Sequence, residues 1–350
     1  MDNAVSALPL SVAGALPKKS SLLRTVNRTR ANQENEDLNF STRGENFKLY
    51  EDDEVKIYGT ERNLDLLAHK CEWFCDDTFD CAPTGTQLYT IHALISDNKT
   101  LPLIYCLTSK KNEETYNTIF TFIKQARTHN VSSIHVDFEL AAIKSIKTIF
   151  SEVNIYGCFF HFAQCLWRKI QSYGLQTWYR DVNNSFLIKQ LQALAFAPPQ
   201  DVCSLFNDFV ESLDAAADEA LGEFLVYFET TWLGMTQRGR RRRPTFDIDM
   251  WLVYSRVQDN LPRTNNSLEG WHNAFNKRVS VKHPTIPKLL RKIRKEQASN
   301  EILLEQAAMG MNISRNNNTY VRVNERLKIL VRNYNRNEGL SFLKAIAHNL

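Results

Sequence analysis

The succession of hydrophobic patterns between residues 73 and 160 constrains the fold more than any other feature. Three strand-like runs follow closely on one another, at residues 73–79, 88–95 and 101–107. Only Pro83-Thr84-Gly85 and Asp97-Asn98 break them, and these are turn formers, so the spacing predicts an antiparallel meander. Residues 113–129 then show helical periodicity, with Tyr116, Ile119, Phe120, Phe122 and Ile123 on one side. Residues 134–137 read as a short strand, 140–150 as an amphipathic helix and 153–160 as another strand. The order β-β-β-α-β-α-β predicts an α/β fold, a mixed sheet with helices packed on it.

The flanks have a different character. Residues 47–50 and 55–58 alternate like a hairpin around Glu51-Asp52-Asp53, and residues 64–69 read as one or two helical turns. From about 162 to 261 the apolar positions recur at helical spacing, at 162–173, 186–195, 199–213 and 218–231. That block reads as a helical insertion, and residues 264–279 as a helix returning to the sheet. Residues 1–45 are polar and basic, with a short basic helix at 20–30 and a linker at 31–44. The tail, 319–349, is basic and helical. The resulting division is 1–45 as N-terminal segment, 46–161 as first part of the core, 162–262 as insertion, 263–300 as last core helix and 301–350 as tail.

Hydrophobic residues make up 43% of the chain and aromatics 11%, enough to bury a sizeable core. A net charge of +4 does not by itself mark a nucleic-acid binder. Its distribution says more: the first 32 residues hold one acid, Asp2, and five arginines crowd positions Arg238, Arg240, Arg241, Arg242 and Arg243. Such a run repels itself without an anionic partner, which points to DNA phosphates or a nuclear-localisation signal; a solvated loop is the bland alternative. Seven cysteines at irregular spacing argue for a reducing, intracellular setting. No apolar run reaches transmembrane length, and residues 1–16, with Asp2 in place of a basic start, do not read as a signal peptide.

Three acids stand out. Asp76 lies inside a hydrophobic strand-like run, where an unpaired charge is costly; an edge strand with its carboxylates in water is the alternative. Asp137 ends a second strand, where it would equally serve as a helix N-cap. Glu269 begins a helix opened by Thr264-Asn265-Asn266, an ordinary place for a Glu because it complements the helix dipole. Together they meet one chemical need. Cleaving a phosphodiester by in-line attack benefits from two divalent cations about 4 Å apart, and Mg²⁺ prefers carboxylate oxygens. His272 shares a helical face with Glu269; it would touch the scissile phosphate, orient Glu269, or be a structural histidine. Cys158 and His161 form Cys-x-x-His at the end of a strand. As a zinc half-site it lacks an evident second half, so zinc is not expected and a place flanking the active site is.

Five blocks resemble the transposase domain of Mutator-like elements, the MULE family. They are Trp73-Phe74-Cys75-Asp76-Asp77-Thr78-Phe79 with 87–92, 101–105 with 111–116, Val136-Asp137-Phe138-Glu139 through Ile143, Gly157-Cys158-Phe159-Phe160-His161-Phe162, and 261–272. The resemblance runs from about residue 60 to 297. It implies an RNase H-like fold with strand order 3-2-1-4-5, which makes the strands of Asp76 and Asp137 neighbours, and a large, mostly helical insertion before the last catalytic acid. It implies Asp76, Asp137 and Glu269 as catalytic metal ligands for two Mg²⁺ or Mn²⁺ ions, and DNA cleavage and strand transfer in the nucleus. The partners would be element ends, target DNA and further copies of the chain; no membrane is involved. Two departures bear on this. The family has Gly after its first Asp where this chain has Asp77, expected to point away from Asp76, so that it need not enter the metal site; buried, it would destabilise the strand, and its charge would bear on metal affinity. The Cys/His finger of many relatives is absent from the first 70 residues, which hold one His and no Cys. These departures favour the alternative, a domesticated, non-catalytic DNA- or chromatin-binding protein that keeps the fold.

Overall fold

The computed structural model describes residues 38–350, apart from residues 79, 97–98, 238, 260, 264–265 and 314–317. The basic helix expected at 20–30, and the linker as far as residue 37, lie outside the described residues. From Leu38 onward the expected linker is packed: Leu38 is buried and Phe40 bridges Asn46.

The described residues form a seven-stranded mixed sheet with helices on both faces. A hairpin, β1 (Lys48–Glu51) and β2 (Val55–Tyr58), leads into α1 (Glu61–His69), whose first turn is capped by the Thr60 hydroxyl. The meander follows as β3 (Glu72–Thr78), β4 (Gln87–Ser96) and β5 (Lys99–Thr108), antiparallel throughout. Then come α2 (Glu113–Ala126), β6 (Ser133–Val136), α3 (Leu140–Ile149) and β7 (Asn154–Gly157). The order across the sheet is β1-β2-β5-β4-β3-β6-β7, with β6 parallel to β3 and β7 parallel to β6. Strands β3 to β7 thus keep the RNase H-like order 3-2-1-4-5, and the hairpin extends the sheet beyond β5.

Period-two alternation sorts the core into two layers. Trp73, Cys75, Tyr89 and Ile91 are buried in one cluster with Ile119, Phe120 and Ile143 of α2 and α3. Leu88, Tyr105 and Leu107 are buried in the other, with Trp271, Phe275 and Leu289 from later helices.

One boundary differs from expectation. The last core strand stops at Gly157, and α4 (Phe159–Ser172) begins directly after Cys158. Phe159, Phe160 and His161 therefore belong to a helix. The apolar run hid the switch, because a short hydrophobic stretch carries no period of its own. The insertion continues as α5 (Gln176–Tyr179), α6 (Val182–Ala193), α7 (Val202–Glu211) and α8 (Ala215–Phe228). It also holds a small hairpin, β8 (Thr236–Gln237) and β9 (Arg240–Arg241), and the short helices α9 (Ile248–Trp251) and α10 (Tyr254–Gln258). Then α11 (Asn266–Val279) and the long α12 (Ile286–Ala308) cover the second face of the sheet. The tail forms α13 (Asn318–Arg332) and α14 (Gly339–Ala347), and it packs on the insertion. Gly339 sits so close to Leu205 that a Cβ would lie 2.2 Å from its Cδ2.

Candidate active site

The parallel pairing of β3 with β6 sets Phe74 beside His135. Continuing that register by two residues sets Asp76 beside Asp137. Asp76 does not lie on an edge strand, because β4 flanks it on one side and β6 on the other; it is 6% exposed. Asp137 does not cap α3 either: the N-cap is Glu139, without a side-chain cap bond. Both carboxyls are pushed up. Burial acts first on Asp76, followed by repulsion from Asp137 and Asp77, and holds it well above the usual carboxylate range. Burial, then Asp77 and Glu139, raise Asp137 to about 7.

Asp77 faces the α2 side of the sheet, as strand alternation expects, yet it lines the same cavity as Asp76, and oxygens of Asp76, Asp77 and Asp137 lie within 4.8 Å of one another. The cavity, about 820 Å³, opens over the end of β3, so residues from both faces of the strand reach it. Lys111 offsets the added charge. Its ammonium lies 2.5 Å from Asp77 Oδ2 and 3.2 Å from Glu139 Oε2. The Tyr116 hydroxyl also donates to Glu139, at 3.0 Å.

Helix α11 closes the third side. Glu269 and His272, one turn apart, both line the cavity. His272 Nε2 is 3.7 Å from Asp76 Oδ2. Burial lowers the imidazole to about 4, and 3.7 Å exceeds hydrogen-bonding distance, so the contact is a neutral approach and not an ion pair. Burial raises Glu269 to about 7. Glu269 borders the cavity without joining the compact three-aspartate group; its Oε1 is 4.0 Å from Cys158 Sγ. Opposite, α4 contributes His161, lowered by burial to about 4. Gln164, Cys165 and Arg168 follow it at i+3, i+4 and i+7 on one helical face. These three, with Lys111 and Glu139, were not singled out from the sequence; extending the helix through His161 would have found the first three.

The donor set suits a hard divalent cation: three crowded carboxylates, partly desolvated, at the mouth of a solvent-open cavity. Among the described residues this is the grouping of His, Cys, Asp and Glu close enough to share an ion, and Cys158 with His161 is not part of it.

The insertion buttresses the turn that carries Asp137. Phe138 packs edge-on against Trp232 and Phe246, with ring centroids 4.9 and 5.0 Å away. The fully buried Arg256 donates twice to the Gly157 carbonyl, at 3.1 Å, and lies over Tyr156. A Cβ at Gly157 would come within 2.4 Å of the Phe138 ring. Gly157→Ala is therefore expected to cost about 1–3 kcal/mol by overpacking. The Phe138 ring is held on its other sides by the tryptophan and phenylalanine. A urea melt matching wild type would show that the ring yields freely.

The basic run forms the exposed β8–β9 hairpin and the strand-free residues after it. Arg243 pairs with Asp247 at 2.9 Å, and Arg241 donates to Cys203 and toward the Leu233 carbonyl. Arg240 and Arg242 are exposed; Arg238 lies outside the described residues. None of the run's described residues lines the carboxylate cavity.

Sheet order and clustered carboxylates at the ends of neighbouring strands define an RNase H-like class of protein. Residues 72–165 match the family model of the MULE transposase domain. The similarity runs from β3 into α4, through Asp76, Asp137, Cys158 and His161; Glu269 lies beyond the matched residues. Among curated proteins there is no match to the chain.

Proposed function

We propose that this chain is a MULE-type transposase that cuts DNA strands and transfers a 3′-hydroxyl to target DNA. One observation carries the reading: Asp76 and Asp137 stand side by side in a solvent-open carboxylate cluster, within the segment that matches the transposase domain. Asp76 and Asp137 would hold Mg²⁺ or Mn²⁺, with Glu269 completing the set from α11. The bound cations supply charge neutralisation at the phosphate and activation of the attacking oxygen. Neutral His272 and His161 can donate or accept a hydrogen bond beside the phosphate, and Arg168 offers a cation to its oxygens. Residues 46–161 and 263–300 form the catalytic core on this reading, 162–262 the insertion and 301–350 the tail. The protein works on DNA in the nucleus, and joining two element ends calls for a homo-oligomer.

The ion pair of Lys111 with Asp77 and Glu139 favours a second reading, a DNA-binding protein that keeps the fold without the chemistry. In it the ammonium stands permanently where a metal would draw on the cluster. Cleavage of labelled DNA by the purified chain, in Mg²⁺ or Mn²⁺ and in EDTA, separates the two. Metal-dependent nicking supports the transposase; none from a folded protein, on candidate element ends included, supports the binding protein. Replacing Arg240 and Arg242 with Ala is expected to weaken duplex binding and flatten its salt dependence by up to about two units of slope. Unchanged binding would make the hairpin a localisation signal or a solvated loop.

A further inference from the structure

The first turns of α12 carry Lys288, Arg291, Lys292 and Lys295. Their spacing, i, i+3, i+4 and i+7, puts them on one helical face. With Arg294, five of the eight residues from 288 to 295 are cationic and none is acidic. Leu289, Leu290 and Ile293 are buried with Trp271 and Phe275, which fixes the rotation of the helix and turns the basic face outward.

The acids that follow do not offset this face. Glu296 is buried, accepting from Trp271 Nε1 at 2.7 Å and pairing with Arg278; Glu301 pairs with Arg43. Among the described residues no carboxylate pairs with Lys288, Lys292 or Lys295, and Lys292 donates to the Arg278 carbonyl. The cations edge a recess of about 260 Å³ shared with Thr42.

The connection that leads into the stripe touches the rim of the carboxylate cavity. Three residues before α12, the His283 N–H donates to the carbonyl of Asp80, and its ring nitrogen meets the Ala82 carbonyl at 3.2 Å. Lys282 lies 3.6 Å from the Asp80 carboxylate, and Asp80 lines the cavity. Ser280 and His283 take left-handed backbone conformations in this connection, at φ 60° and 48°. The connection thus ties the start of α12 to the cavity rim, and the basic face runs on from there along the helix.

We infer that this face of α12 is a track for the phosphate backbone of duplex DNA whose reacting phosphate enters the Asp76–Asp137 cavity. The inference rests on the transposase reading. Seven residues of helix span about 10 Å. Phosphates on one strand advance about 3.4 Å each along the axis, so the stripe matches about three of them. No aromatic side chain lies between Ile286 and Lys295. The track can therefore grip phosphates but offers no aromatic platform for unpaired bases, which fits a duplex better than a single strand.

The test is duplex binding in EDTA, read by fluorescence anisotropy between about 50 and 200 mM salt. The triple variant Lys288→Gln, Arg291→Gln, Lys295→Gln is compared with wild type. The slope of log K against log salt should become shallower by roughly two to three units, equally for two unrelated sequences. Unchanged slope and affinity in a folded triple variant overturn the track, as does a loss confined to single-stranded DNA or RNA. Should the triple variant misfold, Lys288→Gln and Lys295→Gln singly should each remove about one unit, and no change in either overturns it. Wild type that binds duplex with the expected variant effect but never cleaves leaves the track standing and removes the transposase reading. Wild type that binds no duplex removes both.

Discussion

Asp137→Asn is expected to abolish metal-dependent strand cleavage while leaving duplex binding nearly intact. The substitution keeps the shape of the side chain and removes its charge. Losing a partner that merely orients a metal ligand commonly costs 10–100-fold, so losing the ligand should cost at least about 100-fold. Asp76→Asn and Glu269→Gln should behave alike. The two aspartate variants carry a second signature. Both carboxyls are buried and crowded by like charge, so removing one should raise the metal-free stability by about 1 kcal/mol or more. Thermal melts in EDTA measure that. Loss of cleavage with a gain in melting temperature is what a metal site sacrifices stability for. Near-normal cleavage in any of these variants would remove that residue from the ligand set.

Lys111→Met should produce the second large effect. The ammonium sits between Asp77 and Glu139, and its removal leaves the cluster without its nearest compensating charge. Two unit charges 4 Å apart interact by about 4 kcal/mol at an effective dielectric constant of 20. A third of that, about 1.4 kcal/mol, already means a tenfold change in affinity. The variant should melt earlier than wild type in EDTA and bind Mn²⁺ at least about tenfold more tightly by calorimetry. Added Mn²⁺ should recover much of the lost melting temperature, since a ligand of the folded state stabilises it by mass action. Asp77→Gly should shift Mn²⁺ affinity the other way. If neither variant moves it, Asp77 lies outside the cation's reach.

Much of the core was legible because its strands alternate and its turns carry Pro, Gly, Asp and Asn. The meander and both α/β units fall within a few residues of where the pattern puts them. Adjacency was not legible: nothing local says that residue 76 pairs beside residue 137, because parallel pairing is a long-range choice. Family resemblance supplied that, and the register of β3 with β6 agrees. The nearness of Asp77 to the other two aspartates was not legible either, because period two does not say where the strand ends. One residue before the end of β3, opposite faces open onto one cavity. Lys111 was invisible for a related reason, since a lysine in a loop before a helix reads as solvated until the fold brings acids to it. The start of α4 was lost in the apolar run around Phe159, where Cys158 provides no side-chain cap.

The contacts between Phe138 and the insertion bear on how the protein comes to be built. The turn that presents Asp137 is wedged against Trp232 and Phe246, about a hundred residues further along the chain. Arg256, later still, ties down the end of β7. During synthesis the sheet can form well before these partners exist, so the two aspartates can be neighbours without yet being held in place. Closure of the insertion over Phe138 is then the step that matures the site, and α11 brings Glu269 only afterwards. A nascent chain would pass through a stage with a finished sheet and an unset carboxylate cluster.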